Sequence, residues 1–282
     1  MKYEDLHNQL QLYLENQENN RAINNSSIEM DKNRLQRLAV EFIESSHPMS
    51  EKLEIAVLLG YIGDPRLIDP TSDAYWSRVE VSFLDILVGR YLVTTQEWRN
   101  FYESEHYENN EYWTEAGIIW RNEDRPTWNE LASGENVKNF IHPNQPVVGI
   151  CFHEAQAYAT FHNARLLYFD ERLDIIRGQE KRVYPWGKDF GRGNANTKEE
   201  VLQRPSPVGI FVKDQTPHGI FDLVGNVAEW TSDQDDDGCC IHPGSWHNGM
   251  MSAWPKASMS ISPNTRLDYL GFRLARDLPD DF

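Results

Sequence analysis

The stretch TPHGIFDLVGNVAEWTSDQ, residues 216–234, decides how the rest of this chain is interpreted. It places the turn-forming pair Gly225 and Asn226 just before Glu229 and Trp230, in a run whose pattern is neither a clean helix nor a clean strand. A lone glutamate beside such a turn has two chemical roles open to it. Its carboxylate caps the local backbone, or it completes an oxygen cage around a hard cation.

The overall composition limits what the protein binds. The chain has 282 residues, enough for one large domain or for a domain of about 200 residues with a smaller appendage. Its 27 basic and 44 acidic residues give a net charge of −17, which repels polyanions and argues against nucleic acid as a partner. The same charge suits solubility, cations or a basic protein partner.

Cysteine usage and hydropathy indicate the compartment. The three cysteines are an odd count with one adjacent pair, which is no disulfide framework and indicates a reducing compartment: Cys151, Cys239 and Cys240. The polar N-terminal stretch lacks the apolar core of a signal peptide, and no stretch of the sequence is long and apolar enough to span a membrane. We therefore predict a cytoplasmic protein without membrane association.

The chain divides into two regions of different texture. Residues 1–66 are predicted to form a small helical unit, because leucines recur at helical spacing, as at Leu6 and Leu10. We expect the last of these helices to begin at Ser50 as its N-cap. Residues 67–282 are predicted to form the second domain.

The second domain is predicted to open with two strands joined by a turn and followed by a helix. Alternation of Val79 and Val81 is typical of a half-buried strand, and Thr94 or Thr95 is placed to cap the helix. From Tyr184 onward the chain is dominated by Gly, Pro, Asn and Asp, so its regular structure must be short. Such long loops stay ordered only when aromatic packing, hydrogen bonds or ions hold them.

Eight motifs occur in an order that resembles one known family. That family is the formylglycine-generating enzymes, also called the sulfatase-modifying factor domain, and the resemblance runs from about Glu80 to Arg276. The motifs are GRYLVTTQEW, PVVGICFHEAQAYATF, YPWG, NANT, PSPVGIF, TPHGIFDLVGNVAEWTSD, GSW and LGFRLAR.

The resemblance implies an α+β fold similar to C-type lectins, with little regular secondary structure and two structural calcium ions. The family pattern implies that the ligands of the first calcium ion are the Glu229 side chain and the backbone carbonyls of Val224, Gly225 and Val227. The second implied site comprises Asn196, the carbonyl of Thr197, and the carbonyls of Gly209 and Phe211. The loop TKEEVLQRPS, residues 197–206, departs from the family's usual spacing at this second site.

The same resemblance bears on catalysis. Members of the family that oxidise a substrate cysteine hold copper with two of their own cysteines, which follow the GSW-type element. Here Asn248 and Ala253 occupy those positions, so we expect no copper. One alternative stays open, in which Cys239 and Cys240 bind a metal together with His242, Met250 or Met251.

A second catalytic branch resembles iron-dependent sulfoxide synthases, which carry an N-terminal His-x3-His-x-Glu motif. Residues 1–66 contain His7 and His47 but no such motif, so we expect no iron either. The family's PTEAEWEYAARG helix is also rewritten, since LYFDERLDIIRG follows Arg165 and Leu166. This departure indicates that the functional constraints on the surface formed by this helix are relaxed or differ from those in the family.

These observations favour a catalytically silent binding protein of the adaptor or immunity type. The stretch WHNGMMSAW is either core or an adaptable apolar patch, because methionine repacks easily around different partners. The alternative function is a metal-dependent oxidase with a non-standard site. The candidate partner-binding residues are Trp246, His247, Asn248, Met250, Met251 and Trp254.

Overall fold

The computed structural model describes residues 2–19, 25–82, 84–123, 125–132 and 138–278. Helices and strands are both present, in agreement with the predicted α+β class, and the two longest helices, of 17 and 20 residues, lie in the N-terminal region. The helices are α1 Tyr3–Asn19, α2 Asn25–Glu44, α3 Met49–Ile62, α4 Thr95–Tyr102, α5 Glu115–Arg121, α6 Trp128–Ala132, α7 Phe152–Phe161 and α8 Phe169–Arg177. The strands are β1 Trp76–Val81, β2 Leu84–Gly89, β3 Arg165–Leu166, β4 Ala228–Asp235, β5 Gly238–His242, β6 Met259–Ile261, β7 Leu270–Gly271 and β8 Leu274–Asp277.

The N-terminal region is helical, as its leucine spacing predicted. Leu6 and Leu10 are fully buried against α2 and α3. The predicted N-cap at Ser50 is wrong, because α3 begins at Met49 and Pro48 occupies the N-cap position. Proline fixes its own φ near the helical value and lacks an N–H, so it starts a helix without a side-chain cap.

The N-terminal helices share a buried interface with the rest of the chain. Ile210 and Phe211 lie in the same apolar cluster as the helices. At Gly60 of α3 the backbone approaches the fully buried Asn144, whose amide donates hydrogen bonds to the Ala56 carbonyl (2.8 Å) and the Asp64 carboxylate (3.1 Å). The predicted boundary between the two domains, after residue 66, stays a prediction. The N-terminal helices nevertheless pack against the rest of the chain.

Two four-stranded sheets carry the remaining framework. One sheet has the order β1-β2-β8-β3 and is antiparallel throughout. The other has the order β6-β5-β4-β7, in which β4 and β7 run parallel. The predicted order of strand, turn, strand and helix is confirmed, and Thr94 caps α4 in a capping box with Glu97.

Aromatic side chains hold the long loops in place. Trp98 of α4 is fully buried and contacts the rings of Trp128, Tyr107 and Tyr158. The indole N–H of Trp230 donates to the Ile150 carbonyl (2.8 Å), so the polar edge of this ring is satisfied inside the core. Among the described residues, no helix has the length and apolar character needed to cross a bilayer.

Candidate functional site

Glu229 lies on β4 and is 2% exposed. Its carboxylate accepts a hydrogen bond from Arg273 Nε to Oε2 at 2.6 Å, and a second from Arg273 Nη2 to Oε1 at 3.3 Å. The same guanidinium also donates to the carbonyls of Phe221 (2.9 Å) and Asp222 (3.3 Å). Glu229 is therefore the buried partner of an arginine that lies between β7 and β8 and is hydrogen-bonded to the 221–229 segment.

A second buried arginine, Arg172 of α8, approaches the same carboxylate. Its Nε lies 3.6 Å from Glu229 Oε1, and all three of its guanidinium nitrogens are buried without a hydrogen-bond partner among the described residues. Burial lowers the pKa of Arg172 to about 10, so the group stays charged at neutral pH. Two guanidinium groups repel a divalent cation, so the surroundings of Glu229 do not fit a calcium ion.

The backbone turn before Glu229 is capped by a different acid, Asp214. Its Oδ2 accepts hydrogen bonds from the N–H groups of Val224 (3.0 Å) and Gly225 (3.2 Å). Burial and the neighbouring Asp222 raise the pKa of Asp214 to about 7. Of the two roles that the sequence left open for Glu229, backbone capping is wrong, because Asp214 performs it.

The Asn196 loop has a different chemistry, because several of its buried oxygens lack partners. Two side-chain oxygens, Asn196 Oδ1 and Ser206 Oγ, make no hydrogen bond with any described residue, and Thr197 Oγ1 and Glu199 Oε2 have no partner beyond a side-chain interaction with each other. Among the carbonyls implied for this site, that of Thr197 accepts from Glu200 N (2.9 Å) and that of Phe211 from Asp214 N (2.8 Å). Each carbonyl oxygen retains a second lone pair. The loop thus offers the oxygen ligands that a hard cation prefers.

No group of three His, Cys, Asp or Glu side chains within the described part of the chain is placed to hold a metal. A cation in the Asn196 loop would therefore depend mainly on amide, hydroxyl and carbonyl oxygens, with Glu199 as the one carboxylate named among its ligands. In the N-terminal helices, His7 pairs with Glu54 (3.6 Å) and His47 with Glu51 (3.4 Å), so each histidine has a local acidic partner.

The thiols of the three cysteines do not converge on one site, and burial raises the pKa of each. Cys239 and Cys240 are consecutive on β5, where successive side chains point to opposite faces. Cys239 is buried in the aromatic core, and burial raises its pKa to about 11. Cys240 Sγ lies 3.4 Å from Ser260 Oγ, and partial burial raises its pKa too. Burial raises the pKa of Cys151, at the start of α7, well above its usual range.

The positions expected to carry catalytic cysteines have structural roles here. Asn248 donates from its side chain to the Pro243 carbonyl (2.8 Å), and its own carbonyl accepts from Lys198 N (3.1 Å). Ala253 is fully buried in a cluster with Tyr184 and Val224. Both residues therefore fix the loop in place, and neither supplies a soft ligand.

An exposed apolar surface lies on the turn between these two positions and on Trp254, which follows Ala253 directly. Met250 is 50% exposed, Met251 77% and Trp254 42%, although the turn itself is ordered by Ala253. The Met250 N–H donates to Glu199 Oε1 at 2.8 Å. The ring of Trp254 contacts Tyr184, on which Trp186 stacks. We call Met250, Met251 and Trp254 the apolar turn.

The remaining predicted partner residues lie beside the apolar turn with different exposures. His247 is exposed and stacks on Tyr269, with ring centroids 4.4 Å apart. Trp246 is half-buried and packs on Phe140, so it is part of the framework. Asn248 is also half-buried, for the reasons above.

Sequence reasoning missed the two arginines that surround Glu229. Arg273 stands between apolar residues in LGFRLA, and Arg172 faces inward among the hydrophobic positions of α8. A charged residue in a run predicted to be buried requires a partner of opposite charge, and this was the available signal.

The family can now be identified. A sequence profile for the sulfatase-modifying factor enzyme 1-like domain matches residues 66–278. The chain belongs to this family. The sulfatase-modifying factor resemblance read from the sequence is thus confirmed, and so is the predicted fold.

Relatives of the chain within and around the sulfatase-modifying factor family differ in activity. The chain is 32% identical over 157 residues to a hercynine oxygenase of Mycolicibacterium thermoresistibile, covering 51% of this chain and 35% of that protein. It is 30% identical over 179 residues to the inactive C-alpha-formylglycine-generating enzyme 2 of Bos taurus, covering 56% of this chain and 58% of that protein. The matches therefore span less than two thirds of either relative.

Solved structures support the sulfatase-modifying factor fold. PvdO from Pseudomonas aeruginosa aligns with a TM-score of 0.51 at 21% identity, over 69% of this chain and 81% of that chain. Treponema denticola variable protein 1 aligns with a TM-score of 0.50 at 16% identity, over 69% and 85%. At these identities the likeness concerns the fold alone.

Proposed function

We propose that this chain is a catalytically silent member of its family that binds a protein partner through the apolar turn and the adjoining His247. One observation carries the proposal: Asn248 and Ala253 occupy the expected cysteine positions and serve the loop's structure. The thiols elsewhere have raised pKa values, so they are poor sources of the thiolate pair that copper needs.

The apolar turn has the properties of a recognition surface. Three large apolar side chains are exposed together on a turn whose backbone is held by hydrogen bonds and by the buried Ala253. A surface held in one conformation loses little entropy on binding. Methionine and tryptophan suit such a role, since methionine adapts its shape and tryptophan is frequent among residues that dominate binding energy.

The charge of the chain favours a basic partner. A net charge of −17 attracts basic proteins over long distances and repels nucleic acid. An adaptor or immunity-type role, in which an acidic protein binds a basic one, agrees with this balance. The inactive C-alpha-formylglycine-generating enzyme 2 among the relatives is named as lacking activity, which supports the same direction.

The binding prediction concerns the double variant Met251→Ser/Trp254→Ser. We expect the double variant not to capture a partner that wild type captures from native-host lysate. With that partner purified, we expect its binding free energy to be less favourable than that of wild type by about 2 kcal/mol or more. Isothermal titration calorimetry with the purified partner measures the change. Ile119→Ser is the matched control, because Ile119 is 66% exposed on α5, outside the apolar turn. Equal binding by the double variant and the control would remove the apolar turn as the recognition surface.

The alternative is a metal-dependent oxidase with a non-standard site, and the hercynine oxygenase relative supports keeping it. Elemental analysis of the purified protein for copper and iron, together with oxygen consumption in the presence of a cysteine peptide, separates the two functions. We expect neither stoichiometric metal nor turnover. Stoichiometric copper or iron with oxygen-dependent turnover would replace the binding proposal.

For calcium, we propose a structural ion in the Asn196 loop and none at Glu229. The support is the set of unpartnered oxygens in the former and the two guanidinium groups at the latter. We expect calcium to raise the melting temperature of EDTA-treated protein, because an ion that binds only the folded state stabilises it. Asn196→Ala should abolish that increase, while Glu199→Gln, in the same loop, should retain part of it. No calcium response in the wild type would contradict the proposal.

A further inference from the structure

A pocket of about 520 Å³ opens beside α4 and the end of α7, away from the residues of the proposed function. Its lining combines acidic and aromatic side chains, among them Asp69, Glu97, Phe101, Tyr158 and Phe161. This volume is in the range of small-molecule sites, which are mostly apolar with a few placed polar groups.

Glu97 is the central acidic group of this pocket. One of its oxygens, Oε2, accepts the capping-box hydrogen bond from Thr94 N (2.7 Å) and an additional one from Thr94 Oγ1 (2.6 Å). The other oxygen carries none of the hydrogen bonds or ion pairs found among the described residues. Helix capping therefore uses half of the carboxylate and leaves an acceptor available.

An unpartnered phenol lies close to Glu97. Tyr75 is buried, and its hydroxyl has no hydrogen-bond partner among the described residues. Tyr75 and Glu97 together line a second cavity of about 10 Å³, which has room for about one water molecule. A water in this small cavity can complete the hydrogen bonding of the Tyr75 hydroxyl, and Glu97 alone is shared with the larger pocket.

The walls of the pocket favour a positively charged ligand with an apolar body. Phe101 and Tyr158 are almost fully buried, and their rings contact each other. Aromatic faces attract cations and also bury apolar surface. Asp69 adds a second carboxylate, exposed at the pocket, which accepts from Thr71 N (2.9 Å) and Thr71 Oγ1 (2.6 Å) through one oxygen.

The basic groups of the lining do not cancel this preference. The guanidinium of Arg276 stacks on Trp76 at 4.3 Å and donates to the carbonyls of His162 (2.7 Å) and Asn163 (3.1 Å). Burial lowers the pKa of His162 to about 4, so its imidazole is neutral at neutral pH. Burial raises the pKa of Glu97 to about 7, so Glu97 is mostly ionised at pH 7.5, whereas hydrogen bonds from Thr71 lower the pKa of Asp69. At pH 7.5 the two acids thus face one arginine that is already engaged.

We propose that this pocket binds a primary alkylammonium group attached to an apolar body, with the ammonium at Glu97 and Asp69 and the body against Phe101, Tyr158 and Phe161. A primary ammonium supplies three donors, and the free Glu97 oxygen and the Asp69 carboxylate on the lining of the pocket can accept from them. This site is independent of the apolar turn, so its failure leaves the proposed function untouched.

Two probes of nearly equal shape test the charge requirement. We expect 2-phenylethylamine to bind the full-length protein saturably at pH 7.5 in isothermal titration calorimetry. The neutral 2-phenylethanol should bind at least about tenfold more weakly, because it lacks the charge that pairs with the two acids. Equal binding of the two probes, or no saturable binding of the amine, would overturn the proposal.

Two variants test the assignment of the acids. Glu97→Gln keeps an oxygen for the capping box, and Asp69→Asn keeps an acceptor for Thr71, so both preserve the local hydrogen bonds. Each should weaken amine binding about tenfold without changing the affinity for the alcohol. Asp85→Asn is the control, since this carboxylate lies on β2 outside the pocket and pairs with the exposed Arg78. If Asp69→Asn and Glu97→Gln bind the amine with the same affinity as Asp85→Asn, the two acids of the pocket do not recognise the ammonium charge.

Discussion

Replacing Glu229 with glutamine is expected to lower the free energy of unfolding by about 3–5 kcal/mol, because it removes the carboxylate with which two buried guanidinium groups pair. Arg273 and Arg172 are each 1% exposed, so neither can recover hydration without opening the fold. Glutamine has nearly the same shape as glutamate, so the loss reports the charge and only slightly the packing. Urea unfolding followed by tryptophan fluorescence measures it.

The control for Glu229 is an ion pair at the surface. Arg78 and Asp85 pair across β1 and β2 with exposed side chains, and exposed pairs contribute about 0–1 kcal/mol. Asp85→Asn should therefore unfold almost like wild type. A Glu229→Gln variant within about 1 kcal/mol of wild type would mean that water or another anion already compensates the two arginines.

The local parts of the fold were predictable from the sequence. The leucine spacing at Leu6 and Leu10 identifies a helix because neighbours three or four residues apart share one face. The pair Thr94 and Glu97 forms a capping box that depends on four consecutive residues. Contacts of this kind join residues within about four positions of one another, so they can be predicted from the local sequence pattern.

The interior of the site was not predictable in the same way. Glu229 and Arg273 are 44 residues apart, and only the parallel pairing of β4 with β7 brings their segments together. A carboxylate in a turn motif looks alike whether its partner is a cation or a guanidinium. The family pattern suggested calcium at Glu229, whereas the charges packed around it belong to Arg172 and Arg273.

In the loop that carries the candidate binding surface, some features could be predicted from the sequence and others could not. Asn248 and Ala253 could be assigned from their distance to the GSW element, because that argument needs only counting. The exposure of Met251 and the partial burial of Trp246 could not, because Trp246 is covered by Phe140, a residue from a remote segment. Which apolar loop residues remain free for a partner is decided by such distant packing.

The second large effect is expected at Gly60, where the N-terminal helices meet the rest of the chain. A Cβ added there would lie 2.4 Å from Asn144 Oδ1, which is inside contact distance, and Asn144 is fully buried. Alanine favours the helix by about 1 kcal/mol over glycine. We nevertheless expect Gly60→Ala to cost about 2–3 kcal/mol net, through overpacking and loss of the Asn144 hydrogen bonds. Urea unfolding measures the change.

A double-mutant cycle with Asn144→Ala shows whether this cost arises at the contact. Removing the Asn144 side chain opens space for the new methyl group, so Gly60→Ala should then be neutral or stabilising, as its helix propensity alone dictates. A stabilising effect in the wild-type background would mean that α3 and Asn144 do not pack as described. Because Asn144 links the Ala56 carbonyl and Asp64 to the body of the fold, strong coupling predicts that the N-terminal helices and the main body unfold in a single transition.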